Sequence, residues 1–172
     1  TAAYLSYEHM LIEGPLELDA RPRALKTVVQ HHDAFRMRFS EQAGEPVQTV
    51  VETVDFSIQV IDLSAIPADA RDDAMRRTTD TESARPFDLS RAPLLRVTAV
   101  KLGPEHHAVL LVTHHIVTDA WSLGLLQQEV GLLYSAERAG TAAALSEKPF
   151  DFADIVLWQN DPAQQERLDR QI

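Results

Sequence analysis

The chain has no cysteine, and that alone excludes disulfide frameworks, thiolate zinc sites and a cysteine nucleophile. Positive charge is scarce: 16 Lys and Arg stand against 26 Asp and Glu, a net charge of -10. Nucleic acids and anionic membrane surfaces are polyanions, so this balance argues against both as partners. Long apolar runs are lacking too, and none approaches the roughly 20 residues that a membrane-spanning helix requires. The chain opens on Thr1 without Met, a basic segment or a signal-like apolar stretch. The expectation is therefore a piece excised from a larger protein, cytoplasmic by default. What is present is ordinary globular material: 172 residues, 45% hydrophobic and 24% charged, enough for one domain with a real core.

Periodicity outlines the elements. Residues 11–16 read as a strand ended by Gly14-Pro15, and Asp19 is placed to cap a helix reaching about Arg36. Within it Leu25, Val28, Val29, His32 and Phe35 recur at helical spacing as one buried stripe. Strand-like runs follow at 47–54 and 56–63, with Phe56, Ile58 and Val60 alternating toward a core. Pro67 opens a charge-rich helix to about Ser83, and 85–90 reads as a loop. Residues 94–102 and 106–115 are expected to pair as an antiparallel hairpin across Gly103-Pro104. In the second of these, 108–112 is apolar at every position and should lie centrally in a sheet. His106-His107 reads as the hairpin's exposed edge. A helix is predicted over 119–138, with Leu123, Leu126, Val130, Leu133 and Tyr134 inward. A small-residue linker over 140–144 follows, then a final helix from about Phe150. The fold class is α/β, a mixed, mostly antiparallel sheet with flanking helices.

Chemistry concentrates where the central strand ends, at Thr113-His114-His115-Ile116-Val117-Thr118-Asp119-Ala120-Trp121-Ser122. Side chains alternate across a strand, so His114 and His115 face opposite sides of the sheet and are poor joint ligands for one metal. A neutral imidazole at a strand end can take a proton from an attacking amine or hydroxyl. It can also hydrogen-bond to charge developing on a tetrahedral intermediate. Asp119 lies past the strand end, where it can fix a neighbouring loop through an ion pair or cap the next helix. Trp121 and the leucines after it read as core.

The ordered segments carry a resemblance. His32-Asp33-Ala34-Phe35-Arg36-Met37-Arg38-Phe39 is similar to the His-Glu-x-Leu-Arg-Thr-x-Phe stretch of the condensation domains of nonribosomal peptide synthetases. Residues 85–96 resemble their Pro-Phe-Asp-Leu…Pro-Leu-Leu-Arg stretch, and 114–119 their His-His-x-x-x-Asp signature. Phe152-Ala153-Asp154-Ile155-Val156-Leu157-Trp158-Gln159 resembles the Tyr-Ala-Asp-x-x-x-Trp-Gln stretch that follows. His-x-x-x-Asp alone is a short pattern shared by several acyltransferase groups; all these segments in order are specific.

The resemblance implies a chloramphenicol-acetyltransferase-like fold of two lobes in a V, of which residues 1–172 form the N-terminal one. The family's opening segment and its C-terminal lobe lie outside this sequence, so the lobe alone is expected to be inactive. The family holds no permanent cofactor or metal. Donor and acceptor peptidyl carrier proteins deliver substrates on 4'-phosphopantetheine arms into a tunnel between the lobes, commonly beside an adenylation domain. The acceptor's amine attacks the donor thioester, giving an amide. By position His115 is the catalytic residue, as base or as the group that positions the amine. His114, Asp119 and Ala120 support it, and Asp119 is expected to bond an arginine, for which Arg36 is the candidate. Two positions depart from the family: Ala120 stands where Gly is usual, a change that restricts the backbone, and His31 stands where Arg is usual. Ester formation on a hydroxyl acceptor and a non-catalytic docking role remain as alternatives. His114 speaks against the cyclisation relatives, which usually have Asp there.

Overall fold

The structure is a computed structural model that describes residues 4–14, 20–147, 150–162, 164, 167 and 170. Its organising element is β6 (His106–His114), in which every residue from 107 to 113 is buried. A strand apolar on both faces must be covered on both and paired on both edges. β1 (Leu5–Glu13) and β5 (Leu95–Lys101) flank it antiparallel, and β4 (Ile58–Asp62) adds parallel to β5, giving the order β1-β6-β5-β4. The mixed α/β class with a mostly antiparallel sheet is thus the observed one.

The alternation of β6 assigns its neighbours. Val109 and Leu111, with Leu95 and Val97, pack against Leu25, Val28 and Val29 of α1 (Ala20–His31) and against Leu123 and Leu126 of α3 (Ala120–Ala139). Ala108 and Val100 face the other way, toward Leu63 and Ala74 of α2 (Ala68–Ala84). A short 3-10 turn, Asp33–Arg36, leads from α1 into a separate hairpin of β2 (Met37–Gln42) and β3 (Glu45–Val50). Its two-residue turn needs positive φ at both positions, supplied by Ala43 (φ 53) and Gly44 (φ 86). α3 is closed by Gly140 at φ 65, and α4 (Phe152–Gln159) opens on a capping box between Asp151 and Asp154. His32 Nε2 meets Glu129 at 2.6 Å and ties the end of α1 to α3.

Several expectations are corrected. β1 begins at Leu5, six residues earlier than 11 by pattern, because an edge strand tolerates the polar Ser6, Glu8 and His9 on its length. α1 stops at His31, since His32 is extended (φ -98, ψ 116), and Phe35 reaches the core from the 3-10 turn instead of a fifth helical position. β3 and β4 are shorter than read, and Val60, on the sheet's outer strand, is half exposed. His107 is buried in the sheet, whereas His106 is exposed. Pro15, Leu16 and the Asp19 cap lie outside the described residues. Among the described residues no helix is long and apolar enough to cross a membrane.

Leu110 is fully buried on the central strand and Leu11 is 80% exposed on the edge strand. Leu110→Ala should lower the unfolding free energy by about 2–5 kcal/mol in urea titrations, while Leu11→Ala stays within about 0.5 kcal/mol. Equal costs would contradict this layering.

Candidate active site

β6 ends at His114 and α3 starts at Ala120, and the corner between them is bonded at almost every residue. The His115 N–H donates to Tyr4 O at 2.8 Å, extending the β1 ladder one step past the strand. The Ile116 N–H donates to His114 Nδ1 at 3.1 Å, and the Val117 N–H to His114 O at 3.1 Å. Thr118 Oγ1 reaches back to Thr113 Oγ1 at 2.7 Å, with both residues buried. Asp119 then caps α3, its carboxylate accepting from the Ser122 N–H at 2.8 Å and from Ser122 Oγ at 2.6 Å. The backbone on either side of His115 is held while its side chain is exposed. Among the described residues no hydrogen bond engages its ring.

The two adjacent histidines live in different surroundings. By register His114 shares the α2 face with Ala108 and Leu110, and His115 belongs to the α1/α3 side. Burial, followed by neighbouring positive charge that includes His115, holds His114 below the usual imidazole range. That agrees with its hydrogen bond: Nδ1 accepts from an amide, so the ring is neutral with its proton on Nε2. Asp119 is held below the usual carboxylate value, first by the Ser122 hydroxyl, then by the Ser122 amide, with a smaller effect of nearby His115. The carboxylate is committed to the helix cap.

The structure does not bring Arg36 to Asp119. Arg36 lies in the 3-10 turn, where Nη1 donates to Val51 O at 2.7 Å and to Glu52 O at 3.3 Å, and Nη2 pairs with Asp33. Its fork fastens the turn to the end of β3. His31 likewise faces a groove with Lys26, Gln30, Thr53 and Val54, and its ring stands edge-on to His32 at 5.0 Å. Ala120 occupies the first position of α3, and among the described residues Ala43 is the non-glycine with positive φ. The backbone at 120 thus suits alanine, and the restriction expected from replacing Gly does not arise there. Trp121 is not core: it is 84% exposed and lines a groove of about 270 Å³ with Ala120, Gly124, Leu125 and Gln128. Leu123 and Leu126 are buried as expected.

Sequence reasoning did not find Tyr4, Thr113, Thr118 or Ser122. A hydroxyl residue three positions after Asp119 was a readable cap partner; nothing in the sequence marks a Thr–Thr bond across a turn. Among the described residues no group of His, Asp and Glu is arranged to hold a metal ion.

Comparison with known proteins locates this geometry. The family described as Condensation domain matches residues 1–171. One of the linear gramicidin synthase proteins of Brevibacillus parabrevis is 36% identical over 161 residues, 94% of this chain and 2% of that protein. Surfactin synthase subunit 2 of Bacillus subtilis is 32% identical over 168 residues, 98% of this chain and 4% of that protein. Among solved structures, the starter condensation domain of rhizomide synthetase RzmA superposes with a TM-score of 0.86 at 25% identity, covering 97% of this chain and 41% of that one. The first condensation domain of the calcium-dependent antibiotic synthetase, in complex with a substrate analogue, gives 0.81 at 26% identity, covering 96% and 40%. The chain thus spans well under half of the solved domains and a few per cent of the synthetases.

Two outcomes follow from the corner. Thr118→Val keeps the shape but strands the buried Thr113 hydroxyl, and should cost about 1–3 kcal/mol of stability in denaturant titrations, whereas Thr118→Ser should recover most of it. Asp119 has a folded pKa below its unfolded value of 3.8. Its contribution is therefore complete above the unfolded pKa and is lost as pH falls through the lowered one. Asp119→Asn, a cap without that titration, should lose less stability than the parent on acidification below about pH 4. Parallel acid profiles would contradict the cap.

Proposed function

The chain belongs to the condensation-domain family, and on that footing we propose that it forms the N-terminal lobe of an amide-forming acyltransferase. The donor is an acyl or peptidyl thioester and the acceptor an aminoacyl thioester, each carried on the phosphopantetheine arm of a peptidyl carrier protein. A second, C-terminal lobe closes the tunnel, and an adenylation domain stands nearby in the same synthetase. Relatives from the gramicidin and surfactin synthases support this setting. The arms enter as substrates, and no cofactor is held permanently.

The observation that carries the reading is an exposed imidazole on a corner whose backbone is bonded on both sides. An acyl transfer from a thioester starts from an activated carbonyl, so the protein's task is to hold the amine and manage one proton. The acceptor nitrogen attacks the thioester carbon, and the C–N bond forms as the carbonyl oxygen takes negative charge. His115 hydrogen-bonds the amine and accepts its proton as the nitrogen becomes positive. Collapse of the intermediate breaks the C–S bond, and the departing thiolate of the donor arm takes up the proton that His115 accepted, which returns the imidazole to its neutral form. His114, neutral and occupied by the Ile116 amide, serves as scaffold and not as acid. Asp119, occupied by Ser122, aims the corner by fixing where α3 begins.

In the complete synthetase with both carriers loaded, His115→Ala should reduce condensation roughly 10²–10⁴-fold, measured as peptide released from the acceptor arm. Turnover at the parental rate would remove His115 from the mechanism. Matched acceptors bearing an amine or a hydroxyl separate the products: the proposal expects the amine to react, and condensation of the alcohol alone would establish ester formation instead.

A further inference from the structure

His114 is held from the side of the sheet opposite His115, by residues that no part of the mechanism has used. Arg96 on β5 lies on the same face as His114, the face covered by α2. The last turn of α2 has no basic residue to meet its orphan carbonyls. Arg96 Nη2 meets this end of the chain from the sheet, donating to Glu82 O at 2.8 Å and Arg85 O at 2.6 Å. The buried Glu82 carboxylate lies 3.5 Å from Arg96 Nε and 3.2 Å from Arg85 Nη2. Anchored in this way, the guanidinium sits 3.9 Å above the centre of the Phe87 ring. Phe87 stands nearly perpendicular to His114, 82° at 6.4 Å, and Tyr4 stacks on His114 at 6.3 Å and 29°. The partly buried His114 ring thus has two aromatic neighbours, Phe87 and the exposed Tyr4.

These ring contacts have a chemical consequence. An imidazole has two nearly equal settings about its ring torsion, and only one turns Nδ1 toward the Ile116 amide. The flipped ring would present carbon there, and the corner would lose the bond immediately after His115. Given the role of His115 set out above, we propose that Phe87 and Arg96 are positioning residues for it. They lock the ring of His114, which holds the Ile116 amide and so the backbone that aims His115 into the cleft.

The test uses the complete synthetase with loaded carriers and single-turnover condensation, with KM for the acceptor and the melting midpoint measured alongside. Phe87→Leu keeps apolar bulk without the ring, and Arg96→Gln removes the cation. Each should slow the chemical step roughly 10- to 100-fold with KM little changed. Phe87→Tyr, which keeps the ring, should restore most of the rate. The double variant should be no slower than the slower single, because both act through one ring. Parental rates in Phe87→Leu, equal losses in Phe87→Leu and Phe87→Tyr, or losses that multiply in the double variant would overturn the proposal. Rates are compared below every melting midpoint, so that a loss from unfolding is set aside by the Leu and Tyr pair. His115→Ala, run in parallel, separates the two readings. If it is inactive while Phe87→Leu is unimpaired, this inference alone fails; if it is fully active, the assignment of His115 fails and carries this one with it.

Discussion

A strand covered on both faces and paired on both edges has no freedom of register, and β6 is such a strand. Leu5 and Leu95 fix its end, lying opposite His114 and Thr113. A slip of one residue would send every side chain to the other face and exchange the surroundings of the two histidines. The chemistry proposed for His115 depends on that constraint. Where the sheet ends, the chain must satisfy its amides within a few residues before α3 begins. It does so with Tyr4 O, His114 Nδ1, His114 O and the Asp119 carboxylate.

The result is a division of labour between neighbours of the same type. His114 is partly buried, neutral and engaged as an acceptor, whereas His115 is exposed with its backbone held. A histidine whose ring nitrogen is engaged inside the protein is poorly placed to exchange a proton there with a substrate; an exposed one on a held backbone is well placed. Asp119 illustrates the same economy. Its carboxylate is bonded to Ser122, so it acts on the corner by fixing where α3 begins.

Much of the sheet was legible because its signals are local. The apolar run 108–112 identified the central strand, Gly103-Pro104 its hairpin with β5, and Asp119 and Gly140 the two ends of α3. Opposite faces for His114 and His115 followed from strand geometry alone. What was not legible depended on tertiary context. The turn at His32 ends α1 in the middle of a helical pattern, and burial of His107 follows from pairing with both neighbours of β6. An ion pair between Arg36 and Asp119 was reasonable by charge, but each group had a nearer partner. Trp121 reads as core by residue type and proves to be exposed beside the corner, in the groove next to Ala120. The contact of Phe87 with His114 joins separate segments, Arg96 reaches that ring only through Phe87, and no spacing announces either.

The most direct measurement is a crystal structure of the complete condensation domain with an unreactive acceptor aminoacyl analogue delivered on its carrier arm. The account predicts the acceptor nitrogen within about 2.6–3.2 Å of a ring nitrogen of His115, or joined to it by one water, with His114 still accepting from the Ile116 amide. An acceptor nitrogen bound on the α2 face of the sheet, or out of reach of His115 altogether, would contradict it.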